Sequence, residues 1–382
     1  FGTLVRQGIE GKTSMGNISI EFLTDPIVSL VRIPEKVLVY FLSPNTMQLS
    51  NTPWTSSRYF YSEPGFTGEP LKDQAFLLLS RFDGDANESI IELIDLKSFE
   101  VLHTWNPDIS LVHSMTDLTK EEFKFLIRDR SEKRFLVMHP FLNSDGSLIV
   151  HGNYTPLMRI DLCSRITWLN QEENFHHSIE IDHEGNYWIP SRMFPTALDK
   201  RIVGSEFDNF YDDAVTKISN DGEIIFQKSV SEIFIENQMD YLLFASGDQD
   251  EFIMDPIHLN DIEPVLSDGK FWKKGDVFLS LRHQSMIVLY RPETNRVIWT
   301  GTGPFYHQHD IDILNENTIS IFNNNAKDFY DGPIVDGYSE IIIYDFNLDQ
   351  YTQYLQSSLI DKKVKSATEG RSQILDNEDL FI

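Results

Sequence analysis

Three histidines and one arginine stand where this sequence could do chemistry: His177 in HHSIEIDHEGNYWIPSR, His258 in DPIHLNDIEPV, Arg282 in GDVFLSLRHQ and His309 in QHDIDILNENTISIFNNN. Each lies at the edge of a short alternating apolar run, where a strand would enter or leave a loop. Three neutral imidazoles aimed at one point would make a zinc site with an open position. A guanidinium in the same ring argues the other way, because a cation weakens the binding of a dication beside it. Arginine forks instead onto a tetrahedral oxyanion such as sulfate or phosphate. Taken singly, these residue types are more often structural, and His139, His176, His283 and His307 are read so. His176 competes with His177, since strand alternation lets only one face a given side. Asp310 would orient His309 or cap a turn. Asn260, Asp261 and Asn323 suit turns, and Trp188, Trp272, Phe305 and Tyr306 suit a core.

The elements that must position these residues repeat. AFLLLSRFDG is followed by SIIELIDLKSFEVLHTW, RFLVMHPFLNSDGSLIVHG by PLMRIDLCSRITWLN, and HHSIEIDHEGNYWIPSR by AVTKISNDGEIIFQK. GDVFLSLRHQ then leads to MIVLYRPETNRVIWTG, and QHDIDILNENTISIFNNN to SEIIIYDFNLDQYTQYL, before RSQILDNEDLFI begins the unit again. Alternating strands with turn signals between them, recurring over several tens of residues, predict an all-β fold, a six-bladed β-propeller over residues 73–382. Residues 1–72 are either a small N-terminal β element or outer strands of the first blade. In a propeller the innermost strands begin around one mouth of the central channel. His139, His177, His258 and His309 each start the first strand of a unit, with Gln373 in that place in the last, so sequence-distant side chains would converge. TDLTKEEFKFLIRD predicts a helix. Residues 192–213 and 231–254 are long enough for lids or for covers over a blade edge.

Composition narrows the partners. A formal charge of -27 repels nucleic-acid backbones and anionic membranes, while leaving room for a local anion site. Cys163 is the single cysteine, which excludes an intrachain disulfide and thiolate metal clusters; its alternating neighbours predict a buried thiol. No apolar run reaches the length of a membrane span. The chain begins at Phe1, and a signal or membrane anchor outside it is expected.

The segments carrying His177, His258, Arg282 and His309, with GRSQILDNEDLFI after them, resemble the motifs of the bacterial arylsulfate sulfotransferase family over roughly residues 134–382. The resemblance implies a six-bladed propeller that moves a sulfuryl group from a phenolic sulfate to a phenol by a ping-pong route, without a nucleotide donor, metal or other cofactor. It implies that His309 is transiently sulfurylated and that His177, His258, Arg282 and Asn260 hold the sulfuryl oxygens. We expect His258 also to protonate the leaving phenolate and deprotonate the acceptor. Expected partners are an aryl sulfate donor and a hydroxyl acceptor, with no nucleic acid, in a periplasmic or extracellular protein that forms a homodimer. The family's classical members carry a separate N-terminal β-domain and a disulfide; the disulfide cannot form here and residues 1–72 do not match the domain. The alternatives are a non-catalytic propeller whose pocket only binds a ligand, and a hydrolase using the three imidazoles as metal ligands.

Overall fold

The computed structural model describes residues 68–382 except 87, 124–125, 127–134, 200–209, 246–252 and 330–331, together with residue 66 and, nearer the N-terminus, a pairing of Ser14–Met15 (β1) with Ile18–Ser19 (β2). The expectation for residues 1–72 otherwise lies outside the described residues.

The architecture is all-β and every strand pairing is antiparallel. β3 (Phe76–Asp83), β4 (Glu88–Asp95) and β5 (Glu100–Trp105) form one sheet. β6 (Met138–Leu142), β7 (Leu148–His151), β8 (Thr155–Ile160) and β9 (Ile166–Phe175) follow in order. The end of β9 then joins them to β10 (Glu180–Ile181), β11 (Tyr187–Arg192), β12 (Asp213–Ile218) and β13 (Ile224–Ser229). A four-stranded sheet comprises β14 (Leu259–Pro264), β15 (Val277–Leu281), β16 (Met286–Arg291) and β17 (Arg296–Thr302). The next contains β18 (His309–Asn315), β19 (Thr318–Asn323), β22 (Glu340–Asp345) and β23 (Gln350–Tyr354), with the hairpin β20 (Ala326–Phe329) and β21 (Gly332–Val335) inserted. β24 (Gln373–Ile374) pairs with β25 (Leu380–Phe381).

Strand periodicity decides which side chains fill the layers between sheets. Along β15, Val277, Leu279 and Leu281 enter an apolar cluster with Val215, Val230 and Ile233, whereas Phe278 enters one with Ile311, Ile321 and Tyr344. β16 alternates likewise, Val288 and Tyr290 to the first and Ile287 and Leu289 to the second. These strands are buried on both faces, which is why they read as continuous apolar runs. The fourth strands are the most exposed, β17 at every other residue and β23 at Gln350, Thr352 and Gln353, as edges are. Each fully buried Leu, Ile or Phe contributes about 1.5–3 kcal/mol. Turns between first and second strands repeat one device: Asn143 to Ser147 and Asp182 to Asn186 close with Gly146 (φ 83°) and Gly185 (φ 82°), conformations that favour glycine.

Three buried carboxylates tie the last four of these sheets in series, each near the start of the next sheet's first strand. Asp213 accepts from the Leu259 amide at 2.6 Å, Asp261 from Ile311 at 2.7 Å and Asp310 from Ser372 at 2.7 Å. A charged acceptor makes these strong bonds, and they fix where the strand beginnings lie.

One expectation needs correction, and two others are completed. Cys163 is exposed, because β8 ends at Ile160 and Asp161 takes the Cys163 and Arg165 amides to form a turn. A helix that was not expected lies at Ile109–Met115 (α1), where Asp108 caps the Leu111 amide; of the helix expected over 116–129, the described residues include a 3-10 turn at Glu121–Phe123 and a helical Leu126, and the remainder lies outside the described residues. Of the two readings of 231–254, the described part supports the cover: it starts inside a helix, Val230–Glu236 (α2), whose Val230, Ile233 and Phe234 are buried in the core.

Candidate active site

The first strands begin irregularly, and that irregularity aims the histidines. His177 (φ 61°), His258 (φ 55°) and Asp310 (φ 42°) adopt left-handed backbone conformations, and the β14 and β18 ladders slip at Leu259/Asp261 and His309/Ile311. A non-glycine residue held there costs about 1–3 kcal/mol, tolerated where the surroundings over-determine it. Here the surroundings are the carboxylate ties to Leu259 and Ile311 and the cross-strand bond from the Arg282 amide to the His258 carbonyl at 3.0 Å. Bulges of this kind re-aim side chains.

The imidazoles meet. The ring centroids of His177 and His258 are 5.1 Å apart, and those of His177 and His309 6.1 Å. Arg282 is 8% exposed, with no carboxylate in ion-pair range among the described residues. Burial pulls its pKa below the ordinary value, while Asp328 and Asp255 oppose that. Asn260 donates to the Gln308 carbonyl at 2.8 Å, and its Oδ1 is buried without a partner. His176 lies behind His177, Nδ1 to Nδ1 at 2.8 Å, with its other nitrogen 3.4 Å from Asp213. Both neighbours therefore reach the cluster, because the left-handed His177 breaks strand alternation.

Each of two imidazoles has a partner that the sequence did not single out. His309 Nδ1 donates to Asn324 Oδ1 at 2.7 Å. The Asn324 amide cannot turn around, because its Nδ2 donates to the Ser366 and Glu369 carbonyls, both at 2.9 Å. The proton of His309 is thus held on Nδ1, and Nε2, buried and unpartnered, keeps its lone pair. Burial drives the His309 pKa down to about 3; the Asn324 hydrogen bond opposes this, and Arg282 and His258 add to it. His177 is likewise held well below the ordinary value, by burial first and then by His176 and His258. His258 Nδ1 donates to Asp255 Oδ2 at 2.8 Å. Burial pushes the Asp255 carboxyl up, but the His258 hydrogen bond and the nearby imidazoles outweigh it and leave the group below its usual range. Asp310 does not orient His309; it holds the Ser372 amide and faces Arg371.

A cavity of about 10 Å³, room for one water, is bordered by His139, Asn260, Asp261, His309 and Arg371. His139 and Arg371 also border a cleft of about 610 Å³ walled by Leu77, Leu79, Leu136 and Phe381. Glu180, Asp261, Asp310 and Asp312 surround one guanidinium, Arg371, which pairs with Glu180 and lies 3.5 Å from Asp310. Burial raises Glu180 to about 7 and Asp312 to about 6, against the pull of Arg371.

His283 and His307, read as structural, border the site: His283 packs on His258 with centroids 4.4 Å apart, and the His307 carbonyl is 3.2 Å from His309 Nδ1. An Asp three residues before His258 and the run of three asparagines ending the His309 hairpin were the available signals for Asp255 and Asn324.

Compared with known proteins, residues 102–382 match the family model described as arylsulfotransferase (ASST). No curated protein matches. Similar solved structures include a protein of unknown function from Bacteroides caccae, at 9% identity and TM-score 0.47 over 80% of each chain. Another is the Pan2 WD40 domain of Neurospora crassa, at 9% identity and TM-score 0.41 over 75% of this chain and 66% of that one.

Proposed function

The chain belongs to the arylsulfotransferase family, and we propose that it moves a sulfuryl group from an aryl sulfate ester to a hydroxyl acceptor in two steps through His309. The reading rests above all on one observation: the Asn324 amide, locked by two carbonyls, leaves a buried His309 Nε2 with a free lone pair. In the first step Nε2 attacks sulfur, an N–S bond forms and the S–O bond to the aryl group breaks. Its electron pair goes to the phenolate oxygen, which takes a proton from Nε2 of His258. In the second step His258 removes the acceptor's hydroxyl proton, the oxygen attacks sulfur, and the N–S bond returns its pair to His309. Protons balance over the cycle.

Asp255 accepts the Nδ1 proton of His258 throughout, so the ring is held in orientation and exchange takes place at Nε2. Arg282, with no carboxylate paired to it among the described residues, is the strongest donor for the sulfuryl oxygens, and His177, which packs on His258, and Asn260 are the further groups assigned to them. The apolar-walled cleft suits the aryl group. We also read the sheets as six blades around one channel, on the support of the repeated carboxylate ties and of β3, β6 and residues 365–371 bordering one cleft. The test is turnover of 4-nitrophenyl sulfate with a phenol acceptor: His309→Asn should abolish it, and full activity in that variant would remove the nucleophile assignment.

A further inference from the structure

Beside the sulfuryl pocket, Asp255, His258 and His283 bring one oxygen and two imidazole nitrogens within 4.8 Å of one another, and among the described residues no other group of three such side chains does so. Asp255 Oδ2 is 2.8 Å from His258 Nδ1 and 3.7 Å from His283 Nδ1. Donor atoms around a tetrahedral zinc ion at about 2.0–2.1 Å are separated by similar distances, so small shifts of two side chains complete a face of the polyhedron. The three-imidazole set of His177, His258 and His309 is not so gathered, and it has no carboxylate to offset the metal's charge.

We propose that Asp255, His258 and His283 form a facultative site for a divalent transition metal of the zinc class, and that filling it withdraws His258 from sulfuryl transfer. The donor set, two imidazoles and a carboxylate with an open fourth position, is one that zinc-class ions take. The site is reachable: the three side chains are 22–31% exposed. It is also held in place. The His283 amide bonds the Ile257 carbonyl at 3.1 Å and the Arg282 amide bonds the His258 carbonyl at 3.0 Å, so the two ligand-bearing segments are fixed against each other. Asp255 Oδ1 is buried without a partner, leaving the carboxylate free to swing. One existing bond is exchanged: His283 Nδ1 now donates to the Asp255 carbonyl at 2.7 Å and gives up that proton to ligate. Arg282 lowers the affinity without abolishing it, since Asp255 supplies the opposing charge. Metal on Nδ1 of His258 removes its proton and its hydrogen bond to Asp255, and so stops acid–base exchange.

The inhibition part rests on the role proposed for His258; the binding part does not. Chelator-treated full-length chain is titrated with Zn2+ in competition with a chromophoric chelator, and transfer from 4-nitrophenyl sulfate is assayed alongside. One Zn2+ per chain is expected. His283→Ala and His283→Gln should each weaken binding by at least about tenfold, the least that losing even an outer partner of a metal site costs. Both should retain transfer in metal-free buffer and resist Zn2+, whereas the wild type is inhibited and recovers with chelator. Cobalt substituted in the wild type should give a tetrahedral absorption spectrum that both variants lose. Absent stoichiometric binding, or binding unchanged in both His283 variants, overturns the proposal. Zinc bound through His283 by a wild type without transferase activity would sustain the metal site and contradict the proposed function instead.

Discussion

At the scale of residues, two neighbouring imidazoles differ in what holds their Nδ1. An amide oxygen holds His309 and a carboxylate holds His258. The amide fixes a tautomer without stabilising an added proton, which suits a nucleophile; the carboxylate stabilises one, which suits an acid–base group. Asn324→Leu should lower kcat by roughly 100-fold through lost orientation, with melting temperature as the control for folding. Asn324→Asp keeps the acceptor but adds charge. It should lift the His309 pKa from about 3 toward neutrality, so the variant loses activity as pH falls through the new value whereas the wild type does not. A pH–rate profile reads this directly. Asp255→Asn should lower kcat by about 10²-fold for donors with poor leaving groups and much less for 4-nitrophenyl sulfate, whose phenolate needs little protonation. His177, His258 and His309 stood out as candidates because type and repeat position coincide, and Arg282 because it lies at a strand edge, while the choice among such residues came from the family resemblance. Asn324 and Asp255 did not stand out, since asparagine and aspartate at strand ends are explained equally well by turns.

Among the elements, the carboxylate ties carry the site's geometry. Asp213→Ala would leave the buried Leu259 amide without its acceptor, at a cost of about 1–3 kcal/mol. It should also raise KM for the sulfate donor, because the tie sits one residue from His258. Denaturant melts and steady-state kinetics measure the two effects. Strand order was legible because apolar runs and Asp-Gly or Glu-Gly turns mark it, as in NSDGS and DHEGN. The buried ties were not, because a charged residue in a strand reads as its solvent face until neighbouring sheets are placed. The helix at Ile109–Met115 was not legible either, because only Ile109 and Val112 of its 7 residues are buried, too short a stripe to read as a period.

Over the whole molecule, a chain of formal charge -27 is read as taking an anionic substrate into a pocket of imidazoles and the guanidinium of Arg282, which has no carboxylate paired to it among the described residues; a cluster of carboxylates gathers around Arg371 nearby. Arg371 is the cation within that cluster. The folded-state pKa values of Glu180 and Asp312 are raised, so their contribution is fully present below the unfolded values and is lost as pH rises toward about 6–7. Arg371→Met removes the charge that offsets this. It should therefore lower the melting temperature by roughly 2–4 °C at pH 8 and by less at pH 5, when the carboxyls are protonated. The central claim is that sulfur rides on His309, and the most direct measurement is the mass of the intact chain, followed by peptide mapping, after brief exposure to 4-nitrophenyl sulfate without acceptor. One added sulfuryl group on His309, lost when a phenol is supplied, is the predicted result; turnover with no modified chain, or with the group on another residue, would contradict it.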